Sequence, residues 1–254
     1  MLALPPAVSH AALLPLGRTL FFDARLSVDG TVSCASCHRP EQAFADGRPV
    51  AQGVYGRQGT RNTPSLRHVI ATQEMFWDGR RPNLEAQVLD PFINPHEHGL
   101  PDHAELLRRV RERPDYAALL PDTLSPPDDQ VLLAVLAQAL SAYVRSLTPP
   151  ETRIDRYLFH GDSSALQPNE RRGLELFRGQ AQCATCHPIG PSAAPLTDGA
   201  YHSLALGFDQ LVQKLGTLSI IVVETPREKM DTLITLVSAK SGSFPSSKAI
   251  GREC

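Results

Sequence analysis

The chain has 254 residues, 42% of them hydrophobic and 20% charged, with a formal net charge of −2. This is the composition of an ordinary folded protein, long enough for one large domain or two small ones. The near-neutral charge gives no footprint for nucleic acid or an anionic membrane surface, and no apolar run approaches the roughly 20 residues of a membrane span.

The opening, MLALPPAVSHAALLPLG, is apolar but has no basic segment, and Pro5, Pro6 and Pro15 interrupt it. It does not read as an intact export signal, so for an exported protein the signal would lie outside this sequence. LGRTLFFD (16–23) then sets a Leu-Phe pair on a short helical run ahead of CASCH (34–38). Loop-like stretches follow: VAQGVYGRQGT (50–60), RNTPSL (61–66), FWDGRRPNLEAQ (76–87) and PFINPHEHG (91–99). HAELLRRVRERPDYAALL (103–120) is predicted as a helix ending near Pro114. DDQVLLAVLAQALSAYVRSL (128–147) is the strongest helix of the chain. Asp128 and Asp129 suit its positive N-terminal end, and Leu132, Val135, Leu136, Ala139, Leu140, Tyr143 and Leu147 form a broad apolar face. RGLELFRG (172–179) repeats the Leu-Phe run and precedes CATCH (183–187), a weak internal doubling. Strand signals are few before residue 210. The expected fold is mainly α, with long loops around the two cysteine motifs.

The cysteines are Cys34, Cys37, Cys183, Cys186 and Cys254. A disulfide framework would scatter them and would not need a histidine beside each pair. Three readings compete. One tetrahedral zinc would take four thiolates and leave His38 and His187 unexplained. A redox dithiol would sit at a strand-to-helix junction in a βαβ pattern, which neither site shows. In the third reading both thiols of each pair join covalently to a porphyrin, and the adjacent histidine becomes an axial ligand of the iron. Only that reading uses all three residue types at both sites, and zinc is the alternative. His96, His98 and His103 suggest a metal cluster at first sight, but their spacing is not the i, i+4 pairing of a helical zinc site, and they are expected to be loop histidines.

Taken together, LGRTLFFDARLS, CASCH, FADGRPV, RNTPSL, FWDGR, LEAQ, NPHEHG and CATCH resemble the bacterial di-haem cytochrome c peroxidases and their relatives of the MauG type, over residues of about 16–208. The resemblance implies two cytochrome c-like haem domains: residues 1–150 with a peroxide-reactive haem on Cys34, Cys37 and His38, and residues 151–210 with an electron-receiving haem on Cys183, Cys186 and His187, this second domain incomplete. It matches Trp77 to an inter-haem tryptophan, Gln87 and Glu97 to a distal glutamine and glutamate, and Asn62 to a ligand of a calcium ion between the domains. It further implies reduction of hydrogen peroxide with electrons from a small donor protein of cytochrome or cupredoxin type, in the periplasm, and leaves a homodimer open. Two other functions remain on the table: a MauG-like oxidase of a partner protein, and an electron carrier without turnover. The chemistry agrees with the assignment of Glu97. Splitting a peroxide O–O bond requires a proton moved from the inner to the outer oxygen, which a carboxylate above an open iron face can do.

Three departures stand out. The 50–60 loop has no histidine, where such peroxidases often keep one that caps the first haem at rest; Tyr55 stands near that place, so the first haem is expected to be open or weakly capped. His98 stands where methionine often follows the glutamate. After YHSLALGFD (201–209) the resemblance ends. Lys214, Lys229, Lys240 and Lys248 all lie in the tail 211–254, whereas residues 1–210 contain no lysine. The tail reads as the product of a frameshift, a fusion or a truncated gene, Met230 as a poor candidate for an iron ligand, and Cys254 as a free terminal thiol.

Overall fold

A computed structural model describes residues 10–67, 69, 72–120 and 128–202. The expectations for the tail, Met230 and Cys254 lie outside the described residues. Of the described residues, those up to Ala200 belong to one compact unit, and Tyr201 and His202 to a second. The expected domain division at residue 150 falls inside the first unit, in the non-helical link 147–152.

Among the described residues the helices are α1 (His10–Phe22), α2 (Cys34–Cys37), α3 (Leu84–Gln87), α4 (Asp90–Ile93), α5 (His103–Arg111), α6 (Pro114–Ala117), α7 (Asp129–Ser146), α8 (Arg153–Phe159) and α9 (Pro168–Arg178). They include no strand; the only β pairings are the isolated bridges Arg39–Ala45, Gln52–Gln58 and Met75–Arg81. The mainly α expectation holds.

The core is built on the pairing of α1 with α7. Leu13, Leu16, Leu20 and Phe21 of α1 and Leu132, Val135, Leu136, Ala139 and Leu140 of α7 are all buried. Each such Leu, Val or Phe side chain contributes roughly 1.5–3 kcal/mol on leaving water. The helices cross at Gly17, where a Cβ would lie 1.9 Å from the Ala139 carbonyl oxygen. Glycine is therefore the residue that lets these backbones touch. Pro15, read from sequence as an interruption, sits inside α1. The lost backbone N–H there is offset by the apolar face that α1 buries.

α7 begins as expected, with Asp128 accepting from the Val131 N–H at 2.8 Å. Such a cap is worth about 1 kcal/mol. The predicted helix from 103 ends just before Pro114, as expected. Arg113, ahead of Pro114, is pushed into extended backbone (φ −110°, ψ 118°), so α5 stops at Arg111 and Pro114 starts α6. Tyr116 of α6 is buried and donates to Asp23 Oδ2 at 2.8 Å, tying α6 to the end of α1. No helix among the described residues is long and apolar enough to cross a membrane.

Candidate functional site

Both Leu-Phe runs lie on helices, α1 and α9, and each helix leads through a turn into a cysteine motif. At the first motif the Ser33 N–H donates to Ser36 Oγ at 3.0 Å and opens α2. Cys34 and Cys37, at i and i+3, share a face of that turn. The His38 N–H bonds to the Cys34 carbonyl at 2.8 Å. The second motif forms a 3-10 turn over Cys183–Thr185, and the His187 N–H bonds to the Cys183 carbonyl at 2.9 Å. Two turns of different helical type thus close the same way on their histidines.

The imidazoles are also alike. His38 Nδ1 lies 2.9 Å from the Phe44 carbonyl and His187 Nδ1 lies 2.7 Å from the Leu196 carbonyl. A carbonyl only accepts, so each Nδ1 carries a proton, and in the neutral ring Nε2 then holds the lone pair that a metal needs. Burial holds His38 below the ordinary histidine range, against the opposing pull of the Phe44 and Pro64 carbonyls, and keeps it neutral. This is the protonation state and tautomer of an axial haem ligand.

The thiols argue against the other two readings. Burial, with Glu97 and Cys37 adding to it, pushes the Cys34 thiol up to about 12, and burial also raises Cys37. A redox dithiol needs a depressed thiol instead. Among the described residues no group of metal-ligating atoms contains thiols from both pairs, so one zinc shared by four cysteines has no site. All four thiols are free of disulfides. A porphyrin also fits the polar inventory around the first motif. Among the described residues, two buried polar atoms there have no partner: Asp46 Oδ2, whose charge acts on both Cys37 and His38, and Thr63 Oγ1, next to the Pro64 whose carbonyl faces His38. Buried polar atoms of that kind call for a polar partner from a bound group or water.

Glu97 lies within electrostatic reach of the first motif, since its charge is felt at both Cys34 and Cys37. Burial raises its carboxyl above the ordinary range, while the hydrogen bond from Asn94 and the charge of Arg80 pull the other way. Asn94 Nδ2 donates to Glu97 Oε1 at 2.6 Å. The segment is clamped by the 50–60 loop: the Val54 N–H donates to the Glu97 carbonyl at 2.9 Å, Arg57 to the Pro95 carbonyl at 3.1 Å, and His96 Nδ1 to the Gln58 carbonyl at 2.9 Å. Gly53 makes this approach possible, because a Cβ there would lie 2.0 Å from the His96 carbonyl oxygen. Tyr55 itself is exposed.

Trp77 and Asn62 are brought together directly: the indole Nε1–H donates to the Asn62 carbonyl at 2.8 Å. Asn62 Nδ2 donates to the Arg48 carbonyl. No cluster of His, Cys, Asp or Glu ligand atoms surrounds Asn62 among the described residues. Gln87 closes α3, whose start is capped by Asn83 accepting from the Ala86 N–H at 2.9 Å.

The three histidines diverge. His96 is held by Gln58, and His103 starts α5 with Nε2 3.4 Å from the Leu89 carbonyl. His98 is 3% exposed, its ring lies 4.7 Å from that of Phe92, and neither ring nitrogen has a partner among the described residues. Burial lowers its pKa to about 4, so it is neutral. His103 is thus helical rather than a loop residue, and His98 is a loop residue buried like a core one.

A helical scaffold with two Cys-x-x-Cys-His turns and matched imidazole tautomers defines a c-type cytochrome with two haem sites. Residues 11–164 match the sequence profile of the family described as di-haem cytochrome c peroxidase. The chain belongs to that family, which implies two c-type haems. It is 33% identical over 193 residues to the methylamine utilization protein MauG of Methylophilus methylotrophus, covering 75% of this chain and 55% of that protein. It is 32% identical over 183 residues to the cytochrome c peroxidase Ccp of Escherichia coli K12, covering 70% of this chain and 37% of that one. The crystal structure of the diheme peroxidase BthA from Burkholderia thailandensis superposes with a TM-score of 0.69 at 30% identity, over 81% of this chain and 56% of that chain. The chain spans about half the length of the MauG relatives it matches.

Proposed function

We propose that this chain reduces hydrogen peroxide to water, taking two electrons and two protons per peroxide from a small redox-protein donor and solvent. The observation that carries this reading is Glu97: a partly buried carboxyl, raised by burial, oriented by Asn94, and within electrostatic reach of the first pair of cysteines. Cys34, Cys37 and His38 hold one haem, and Cys183, Cys186 and His187 hold the other. The haem, when bound, would supply redox-active iron and a store of oxidising equivalents.

Glu97 takes the proton from the inner peroxide oxygen and returns it to the outer one, so that the leaving group departs as water. A carboxyl raised toward neutral pH serves both halves of that transfer. Gln87 orients the peroxide or hydrogen-bonds Glu97. Trp77 carries electrons between the haem sites as an oxidisable aromatic. The protein works in the periplasm, where c-type haem is attached in bacteria of this kind.

The test combines two assays on the purified protein. A pyridine haemochrome spectrum with the intact mass is expected to give two covalent haems, and peroxide-dependent oxidation of a reduced cytochrome or cupredoxin is expected to follow. Two haems without turnover would make the chain a carrier, and covalent modification of a co-encoded protein in its place would make it MauG-like. Zinc without a Soret band would sink the reading altogether.

A further inference from the structure

Two of the described non-glycine residues with positive φ supply the acceptors for the motif histidines. Phe44 (φ 60°) accepts from His38, whose imidazole the Pro64 carbonyl also faces, and Leu196 (φ 53°) accepts from His187. The N–H of each of these residues also bonds back to the residue just after its histidine. The Phe44 N–H reaches the Arg39 carbonyl at 2.7 Å, and the Leu196 N–H reaches the Pro188 carbonyl at 3.3 Å. Each residue therefore closes a ring with its own histidine: the N–H pins it beside the ligand, and its carbonyl faces the imidazole.

The loops that reach this geometry are unrelated. Residues 39–43 read RPEQA and residues 188–195 read PIGPSAAP. The shared element is one left-handed residue, in a region that glycine favours and that Phe and Leu avoid. With the N–H fixed, the direction of the carbonyl depends on φ and ψ of that residue. A return to negative φ would swing the carbonyl off the imidazole. Backbone strain of this kind persists only where the surroundings hold it. At Phe44 they visibly do: its ring packs edge-on against Phe21 at 6.3 Å. Leu196 is 43% exposed, so the backbone there can be tested with little loss of packing.

We infer that Phe44 and Leu196 are positioning residues for the two histidine ligands, their left-handed backbones aiming the carbonyls that fix imidazole tautomer and rotation. This rests on the haem reading above. Both residues act through the histidines, by their main-chain carbonyls. A hydrogen bond from Nδ1 makes the imidazole a stronger donor and favours the oxidised iron, so losing it raises the potential of that haem.

The test uses the haem-loaded protein, after a pyridine haemochrome count on the parent, with the midpoint potential of each haem as readout. Leu196→Gly, which keeps positive φ at no cost, is expected to leave both potentials at parent values. Leu196→Pro, which has neither the N–H nor access to positive φ, is expected to raise the second potential and leave the first alone. Leu196→Val is expected to move the second potential the same way by less. Should Leu196→Pro fail to load its haem, the comparison of Val with Gly decides. Equal potentials for Val and Gly, or a Gly shift as large as that of Pro or Val, would overturn the inference. A parent without covalent haem would instead sink the cofactor reading, and this inference with it.

Discussion

Asn94 donates its side-chain N–H to Glu97 Oε1 at 2.6 Å, and the same side chain accepts from the His96 N–H at 3.0 Å. The amide is thus fixed at both ends and favours the charged carboxylate, while burial favours the neutral one. Asn94→Ala leaves burial with less opposition. The acid limb of the peroxide-reduction rate is expected to move to higher pH, with little change on the alkaline plateau. Stopped-flow rates across pH read this directly, and an unmoved limb would separate Asn94 from Glu97 chemistry.

Glu97→Gln removes the proton carrier and keeps the shape. The rate of peroxide reduction is expected to fall by about 10²–10⁴-fold, the usual worth of a general acid-base. Stability should respond in the opposite sense. A carboxyl raised in the folded state contributes stability that is fully present below the unfolded pKa and is lost as pH rises through the folded one. Glutamine cannot ionise and escapes that loss. Melting curves are expected to put the variant above the parent at pH 8 and level with it at pH 4. A variant that melts lower at pH 8 would contradict this.

Gly17 and Gly173 occupy matching places in GRTLF and GLELF, yet their surroundings differ. A Cβ at Gly17 meets the Ala139 backbone, whereas one at Gly173 meets nothing within 4 Å among the described residues. Gly17→Ala is expected to cost about 1–3 kcal/mol or more by forcing α1 from α7. Gly173→Ala is expected to stabilise α9 by roughly 0.5–1 kcal/mol, since alanine is the better helix former. Thermal denaturation of the two single variants should move in opposite directions. Parallel shifts would refute the contrast.

The oxidised protein at rest is expected to show a high-spin haem component without prior reduction. The 50–60 loop has no histidine to offer, and its contacts to Pro95, His96 and Glu97 are spent on fixing the carboxylate segment. Electron paramagnetic resonance of the untreated ferric protein measures this. Purely low-spin signals from both haems would count against an open first site.

Residue patterns with a short-range cause were legible in the sequence. The Asp128 cap, the apolar face of α7 and the Cys-x-x-Cys-His turns each depend on neighbours within a few positions. The pairing of Glu97 with the first cysteines came from family resemblance, since nothing local links residue 97 to residue 34. What stayed hidden was set by the backbone or by tertiary contact. No pattern marks Phe44 or Leu196 as left-handed, because both residue types usually avoid that region. The burial of His98 depends on Phe92 and the surrounding core. The close approach at Gly17 depends on α7, more than a hundred residues away in sequence.

The acceptor for Trp77 is a main-chain carbonyl, and an amide oxygen is an extremely weak base. On the electron route proposed here, an indole that loses an electron at this position has no base within its hydrogen bond to receive the Nε1 proton. The hole would travel alone, as a cation, and return without waiting for a proton. Transfer through Trp77 should therefore run at the same speed in heavy water as in light water, whatever side chain stands at position 62.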